Sequence, residues 1–220
     1  MDSRFWSTDN GLSPDTLGAL MEARQTVRPR RLTGPVPSLT ELQHWLASAA
    51  SAPDHGRNRP WRFVLVPESL RSALGTSFTT ALLERDATAN AEQQERAHDK
   101  ALRAPVLMLV VVDAQCGDPA IDVQQRIFSA GCAVQNLLLM ATAMGYGSSL
   151  TSGKAMHSAP LRSLFGLGKH EQALCFVNLG AITSAKPPPA RPAPDDYVRT
   201  LTADGQAIGI HPDLYATPTP

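Results

Sequence analysis

Cysteine is scarce in this sequence, and no segment is apolar enough throughout to suggest a membrane span. The 220 residues include three cysteines, an odd number, with no CxxC pair. A disulfide framework is therefore not expected, and a reducing compartment is. The first ten residues, MDSRFWSTDN, lack the apolar core of a signal peptide. The most apolar long stretch, residues 127–144, is interrupted by Ser129, Gln135, Asn136 and Thr142. We expect a soluble, cytoplasmic protein.

Net charge is also absent, because Lys+Arg and Asp+Glu both number 20. No global field would attract nucleic acid or an anionic membrane. The charge is uneven, however: residues 24–62 contain seven arginines against two acidic residues, a local net charge of +5. Such a patch suits a phosphate group. The six histidines show neither HExxH nor another paired ligand spacing, so no metal site is expected.

Helix and strand signals alternate along the chain. Ser13 and Pro14 are typical of a helix start, and Ser38 with Glu41 forms a capping-box pattern that opens a second helix. The β-branched run at 106–112 predicts a fully buried strand. Residues 121–144 predict a long helix, apolar nearly all round in its second half and capped by Gly145. Further expected elements are a strand at 61–66, a short helix ending near residue 166, and a last strand at 173–179.

Two segments lack the periodicity of a core element. Between residues 84 and 100 the chain is polar and charged, which predicts an exposed helical excursion or lid. Residues 185–220 are rich in proline and show no helix or strand period. This tail cannot build a core alone, so it is either disordered or an arm laid over another surface. The predicted domains are therefore 1–184 and the arm 185–220.

The loop at residues 52–63, APDHGRNRPWRF, contains one histidine and three arginines between a predicted helix and a predicted strand. A donor-rich loop held by two prolines suits an anionic small molecule. The alternative is a surface turn whose arginines are simply solvated.

Several short motifs occur together in one order. They are RQTVR (24–28), PVP (35–37), APDH (52–55), PWRFV (60–64), APV (104–106), GCA (131–133), GYG (145–147), SG (152–153) and FVNLG (176–180). In order and spacing the chain resembles the FMN-dependent nitroreductase family, most of all its small single-domain bacterial NAD(P)H nitroreductases, over about residues 17–182.

The resemblance implies an α+β fold in which a mixed sheet is flanked by helices. It also implies an intertwined homodimer with FMN at the interface. The apolar helix at 127–144 would be the buried dimer helix, and the proline-rich tail would embrace the partner.

The same resemblance implies the site residues. Those that would contact FMN are Arg24, Gln25, Thr26, His55, Arg59, Thr151, Ser152 and Gly153. The segment that the family associates with NAD(P) is Ala141, Thr142, Ala143, Met144, Gly145 and Tyr146. No catalytic side chain is implied, because flavin N5 carries the hydride. The plainer alternatives are a helix-terminal charge for Arg24, a backbone cap for His55, an ordinary loop at 151–153 and a glycine-capped buried helix end at 141–146.

Two positions depart from the family pattern. Arg59 stands where close relatives carry glutamine, and a cation there would favour the negative charge of reduced flavin. Thr151 stands where they often carry arginine. A charged hydrogen bond is worth about 1.5–3 kcal/mol, so its loss would weaken FMN binding unless Lys154, Arg57 or Arg28 compensates.

The function implied is transfer of hydride from NADH or NADPH, through FMN, to an electron-poor acceptor such as a nitroaromatic, quinone or enone. Residues 84–100 would roof the pocket. Two alternatives stay open at this point. One is a flavin-binding dimer without NAD(P)H turnover, and the other is a flavin enzyme of another type, such as a dehalogenase or a flavin-consuming enzyme.

Overall fold

The computed structural model describes residues 13–184, 187, 189–203 and 205–210. The first ten residues, which lack the apolar core of a signal peptide, and the last ten of the predicted arm lie outside this description. The chain divides into two compact units, residues 1–186 and 187–220. The first unit contains a five-stranded sheet and the second a two-stranded hairpin. Among the described residues, no helix is both long and apolar enough to cross a membrane.

The large sheet is built around one long central strand. Its strands are β1 (Leu32–Thr33), β2 (Trp61–Leu65), β3 (Val106–Asp113), β4 (Gly147–Thr151) and β5 (Glu171–Ile182). Strand β5 pairs with β3 on one side and β4 on the other, and β2 extends the sheet beyond β3. All these strand pairs are antiparallel. Parallel pairing occurs at an isolated bridge between Thr26 and Ser148 of β4. Strands β2 and β4 therefore lie at opposite edges.

Helices cover both faces of this sheet. They are α1 (Pro14–Ala23), α2 (Leu39–Ala47), α3 (Glu68–Arg85), α4 (Ala91–His98), α5 (Val123–Ala143) and α6 (Ala159–Leu164). Successive residues of β3 point to opposite faces. Met108 and Val110 pack in one core cluster with Leu137 of α5, while Leu107 and Leu109 pack in another with Leu74 of α3. The predicted buried strand and the α+β class are confirmed.

The predicted helix caps are present. The Ser13 hydroxyl accepts a hydrogen bond from the Thr16 N–H at 3.1 Å, at the start of α1. At the start of α2, the Ser38 N–H donates to Glu41 Oε2 at 2.8 Å, and the Glu41 N–H donates back to Ser38 Oγ at 3.3 Å. Gly145 ends α5 with a φ of 81°, the left-handed conformation that favours glycine.

Helix α5 is buried along most of its length but leaves one stripe exposed. Phe128 is 72% exposed and Ile127 is 38% exposed. Gly131 and Gln135 continue the exposed positions one and two turns further along the helix.

Four strands were missed in the sequence. The two-residue β1 is one, and β4 is another, because the small polar side chains of GSSLT at 147–151 show no apolar alternation. The strand predicted at 173–179 extends over Glu171–Ile182 and is not the last one. In the second unit, α7 (Pro194–Tyr197) precedes a hairpin of β6 (Arg199–Thr202) and β7 (Gly205–Ile208). The lack of a helix or strand period after residue 185 therefore did not reveal α7, β6 or β7.

Candidate functional site

The donor-rich loop before β2 adopts an unusual backbone conformation. Gly56, Arg57 and Arg59 have φ values of 74°, 52° and 43°. Two non-glycine residues in the left-handed region cost about 1–3 kcal/mol each, and such conformations concentrate at functional sites. The side chains of His55, Arg57 and Arg59 are exposed. The loop therefore holds three donor side chains at the surface on a constrained backbone.

Asp54 fixes this loop from within. Its Oδ2 accepts a hydrogen bond from the Arg59 N–H at 2.5 Å, and its backbone carbonyl accepts from the Arg57 N–H at 3.1 Å. The second carboxylate oxygen, Oδ1, is buried and finds no hydrogen-bond partner among the described residues. Both left-handed residues are thus tied to one acidic residue.

A second loop supports the first from behind. The Asp118 N–H donates to Asn58 Oδ1 at 3.4 Å. Arg126 of α5, 1% exposed, holds that second loop by donating to the carbonyls of Cys116, Asp118 and Ile121. The conformation of the donor-rich loop therefore depends on a buried arginine at the start of α5.

One arginine of the loop sequence is not available for a ligand. Arg62 donates from Nε and Nη2 to the two carboxylate oxygens of Glu171, at 2.5 and 2.9 Å. This contact lowers the pKa of Glu171, as does the Gly168 N–H, while burial opposes both. Arg62 instead links β2 to the start of β5.

His55 lies beside the exposed stripe of α5. Its Nδ1 is 2.5 Å from Gln125 Oε1. The two residues line a small surface cavity of about 230 Å³ together with Phe128. The loop and the exposed part of α5 therefore form one continuous surface.

Residues Arg24, Gln25 and Thr26 lie at the opposite edge of the sheet. The bridge from Thr26 to Ser148, with the Val27 N–H donating to the Ser148 carbonyl at 2.9 Å, sets this segment alongside β4. Because the bridge is parallel, the chain then continues in the direction of Thr151. An elongated ligand lying along β4 could reach both Thr26 and the residues that follow Thr151.

Thr151, Ser152 and Gly153 line a cavity with a volume of about 650 Å³. Its apolar wall consists of Phe78, Leu82, Leu107, Met156 and Phe176. The rings of Phe78 and Phe176 meet edge to face at 5.8 Å. Size and apolar lining are those of a small-molecule site.

The rim of this cavity is cationic. None of the described lining residues is acidic, and five are basic. The basic residues are Arg85, Arg96, Lys100, Arg103 and Lys154. Four of them come from the excursion and the turn that follows it, so the polar segment does line a cavity. Burial and the nearby Arg30 lower the pKa of Arg103, and Asp99 opposes this.

These cations were overlooked in the sequence, although a signal was present. Arg96, Lys100 and Arg103 are spaced by four and three residues, which places them on one face of a helical segment. The lack of apolar periodicity predicts only an exposed excursion, whereas the spacing of the basic residues predicts a cationic face.

Thr151 is held by a buried asparagine. Asn178 Nδ2 donates to Thr151 Oγ1 at 3.0 Å and to the Ser149 carbonyl at 3.2 Å. Thr151 and Lys154 both line the cavity. Of the three cations considered as substitutes for an arginine at 151, Lys154 is the one among the cavity-lining residues.

The segment Ala141, Thr142, Ala143, Met144, Gly145 and Tyr146 forms the end of α5 and the turn into β4. Ala141 is fully buried, and the Tyr146 N–H donates to its carbonyl at 2.8 Å. Burial and Glu41 raise the pKa of the Tyr146 hydroxyl. The structure thus gives this segment the plain role of a capped helix end, and its possible contact with NAD(P) stays a prediction.

The predicted site residues therefore form two groups. His55 and Arg59 precede β2, whereas Thr26 and Thr151–Gly153 flank β4. Strands β3 and β5 lie between them, which corresponds to three interstrand spacings, or about 14 Å. Within one chain the two groups do not surround a common point.

Comparison with known proteins gives concordant results. A family model described as "Nitroreductase family" matches residues 21–181. A protein of Haemophilus influenzae named "Putative NAD(P)H nitroreductase" is 30% identical over 151 residues, which cover 69% of this chain and 81% of that protein.

Solved structures share the fold. A nitroreductase-like family protein from Bacillus cereus has a TM-score of 0.70 and 22% identity, covering 85% of this chain and 96% of that one. A mutant form of the FMN- and NADPH-dependent nitroreductase NfnB, from a sphigopyxis strain, has a TM-score of 0.66 and 18% identity, covering 85% and 98%. An iodotyrosine deiodinase bound to FMN and 3-iodo-L-tyrosine has a TM-score of 0.61 and 22% identity, covering 80% and 95%.

Proposed function

Because this chain belongs to the nitroreductase family, we propose that it is an FMN-dependent oxidoreductase. It would transfer hydride from NADH or NADPH, through the flavin, to an electron-poor acceptor such as a nitroaromatic, quinone or enone. The observation that carries the proposal is the cavity next to Thr151–Gly153, which combines an apolar aromatic wall with a cationic rim.

The residues present fit FMN. Its phosphate needs cations and hydrogen-bond donors, which Lys154, the Thr151 hydroxyl and Ser152 supply at the end of β4. Its elongated ribityl chain needs a path, which the edge of β4 beside Thr26 supplies. When bound, FMN would supply the hydride-accepting centre, so the protein's part is to bind and orient.

A homodimer would complete the site. His55 and Arg59 lie about 14 Å across the sheet from Thr151–Gly153, so a second copy is the natural source of the other half. The exposed stripe of α5 around Phe128 adjoins His55 and offers an apolar surface for that copy. We further propose that the unit from residue 187 onward acts as an arm that embraces the partner.

Within this arrangement the chain's own residues have separate roles. Arg24, Gln25 and Thr26 would hold the ribityl and phosphate end from the edge of β4, and Lys154 would replace the missing arginine at 151. Arg59, presented on its constrained loop, would stabilise negative charge on the reduced ring of the partner's flavin. No side chain is required to move a proton before hydride transfer.

The proposal is tested on the purified protein. We expect a visible flavin spectrum, a rise in Tm on adding FMN, and NADPH oxidation that depends on menadione or a nitrofuran. A protein with no flavin spectrum and no FMN-dependent rise in Tm would refute it. Flavin binding without NAD(P)H oxidation would instead identify a flavin-binding dimer that lacks turnover.

Reductive dehalogenation is a second candidate, favoured by one specific observation. The deiodinase that shares this fold at a TM-score of 0.61 is bound to FMN and a halogenated aromatic amino acid. Iodide release from 3-iodo-L-tyrosine in the presence of a flavin reductant would support this candidate. Reduction of nitroaromatics or quinones without iodide release would support the first candidate, the NAD(P)H-dependent oxidoreductase.

A further inference from the structure

We propose that the cationic cavity binds an anionic group of the co-substrate in addition to the FMN phosphate. The group would be a phosphate or carboxylate on a molecule with an aromatic or apolar body. This inference rests on the proposed function, because it names the chemistry of what the same site accepts.

The first argument is the count of charges. Five basic side chains line the cavity, and none of the described lining residues is acidic. Among the described residues, Glu92 lies 3.0 Å from Arg96 on the same helix and Asp99 acts electrostatically on Arg103. In the described part of the chain, Arg85, Lys100 and Lys154 remain without such an acidic neighbour. A phosphate monoester carries about two negative charges at pH 7, so the FMN phosphate alone would not compensate all three.

The second argument is the availability of these cations. Arg85 ends α3 and Lys100 lies in the turn after α4, so they come from separate elements. Both side chains are exposed, and neither has a hydrogen bond or ion pair with the described residues. Arg103, in contrast, is half-buried and donates to the Arg96 carbonyl at 3.4 Å. A one-sign rim of unpaired charge attracts an oppositely charged ligand and raises its rate of binding.

The third argument is the composition of the wall. Phe78 and Phe176 lie edge to face, and Leu107 and Met156 belong to the same apolar cluster. Phe78 and Leu82 of this wall are only half-buried, and an inorganic anion would leave their apolar surface in contact with water. An aromatic anion would cover it while its charge reached the rim, which is why we infer an amphipathic ligand.

Two sources could supply that chemistry. One is the 2′-phosphate that distinguishes NADPH from NADH, and the other is an acidic group on the acceptor. The test therefore needs two arms. In the first, NADPH and NADH are compared with menadione, a neutral acceptor. In the second, 4-nitrobenzoate and its neutral methyl ester are compared with NADH held at saturation.

The variants are Arg85→Gln, Lys100→Gln and their combination, each studied as the FMN-loaded protein. In one of the two arms, we expect the double variant to raise KM about tenfold for the co-substrate that carries the extra anionic group (NADPH or 4-nitrobenzoate). A tenfold change corresponds to the loss of one charged contact. The values of kcat, the KM of the counterpart that lacks the extra anionic group (NADH or the methyl ester) and the Kd of FMN should change less than about twofold by the same scale. Lys169→Gln is the control, because it makes the same charge change in an exposed turn away from the cavity.

The outcomes separate this inference from the proposed function. Equal KM effects on NADPH and NADH and on 4-nitrobenzoate and its methyl ester, or no effect in either arm, would overturn it. A change confined to the Kd of FMN would also overturn it, since the cations would then serve the cofactor alone. Failure of the unaltered protein to oxidise NADH or NADPH with any acceptor would instead refute the proposed function.

Discussion

Arg126 supports the donor-rich loop from the core, and the substitution Arg126→Met removes that support while keeping much of the side chain's volume. In the structure its three guanidinium nitrogens donate to three carbonyls, including Nε to Ile121 at 3.1 Å and Nη2 to Asp118 at 2.7 Å. The side chain is 1% exposed. Methionine would leave all three acceptors without their donor.

The magnitude follows from two opposing terms. Hydrogen bonds to a charged group contribute about 1.5–3 kcal/mol each. Burying a guanidinium without a carboxylate costs several kcal/mol, which methionine would recover. Each buried carbonyl left without its donor costs about 1–3 kcal/mol, so the three together outweigh the recovered desolvation and leave a net loss of about 2–4 kcal/mol. For a domain whose total stability is about 5–15 kcal/mol, this is a large share.

Urea denaturation followed by circular dichroism measures the effect. Arg62→Met is the matched control, because Arg62 forms an ion pair that is 44% exposed on the arginine side and should cost no more than about 1 kcal/mol. A loss below about 1 kcal/mol for Arg126→Met would refute the account of Arg126 as a structural donor. Unchanged FMN affinity in a folded Arg126→Met protein would refute the link from this residue to the loop.

Three further predictions concern single positions. Arg62 lowers the pKa of Glu171, so the stabilisation from this pair is present above the unfolded carboxyl pKa of about 4.3 and is lost as the pH falls through the folded pKa. The difference in unfolding free energy between the wild type and Glu171→Gln should therefore shrink in acid. A difference that stays constant with pH would contradict this. Gly145→Ala should destabilise the protein by about 1–2 kcal/mol, because residue 145 has a positive φ. Gly18→Ala within α1 should instead stabilise it by up to about 1 kcal/mol, since a Cβ there meets open space. Equal effects of the two substitutions in chemical denaturation would argue against backbone strain at residue 145. Burial raises the pKa of Cys175 to about 11, so its thiol should resist Ellman's reagent at neutral pH until the protein unfolds, and fast labelling of the native state would show the burial to be wrong.

The sequence predicted best those elements whose signals are local. The cap of α1 by Ser13 and the capping box of Ser38 with Glu41 depend on residues three positions apart. The buried strand β3 is likewise marked by its own continuous apolar run. Such features require no knowledge of what they pack against.

The strand β4 could not be predicted in this way. Its residues Ser148 and Ser149 are buried although polar, and its backbone pairs with β5 far along the chain. Asn178 of β5 supplies the polar contact that makes a serine- and threonine-rich strand tolerable there. The fold is specified at this edge by a partner that local pattern does not reveal.

The motifs predict which residues belong to the site, but the order of the strands in the sheet decides that these residues fall into two groups. Neither His55 nor Arg59 indicates by its neighbours that β3 and β5 separate it from Thr151. The cationic rim is likewise assembled from α3, α4 and two turns. Only the tertiary arrangement converts scattered basic residues into one cavity.

This arrangement changes the meaning of the two departures from the family pattern. Thr151 removes a cation from the end of β4, yet Lys154 lies three residues later on the same cavity, and Lys100 and Arg103 face it from the excursion. Near the end of β4 the basic side chain is therefore Lys154, whereas Arg85 and Lys100 come from α3 and from the turn after α4. Charge on a strand end grips one phosphate at a fixed place, whereas charge spread around a rim also acts on whatever enters next. Arg59, locked through its N–H to Asp54 at the far edge of the sheet, cannot substitute for Thr151 within one chain. Under the proposed function its effect on flavin chemistry would depend on the second copy, so the two departures would act on different parts of the site and should be separable by mutation.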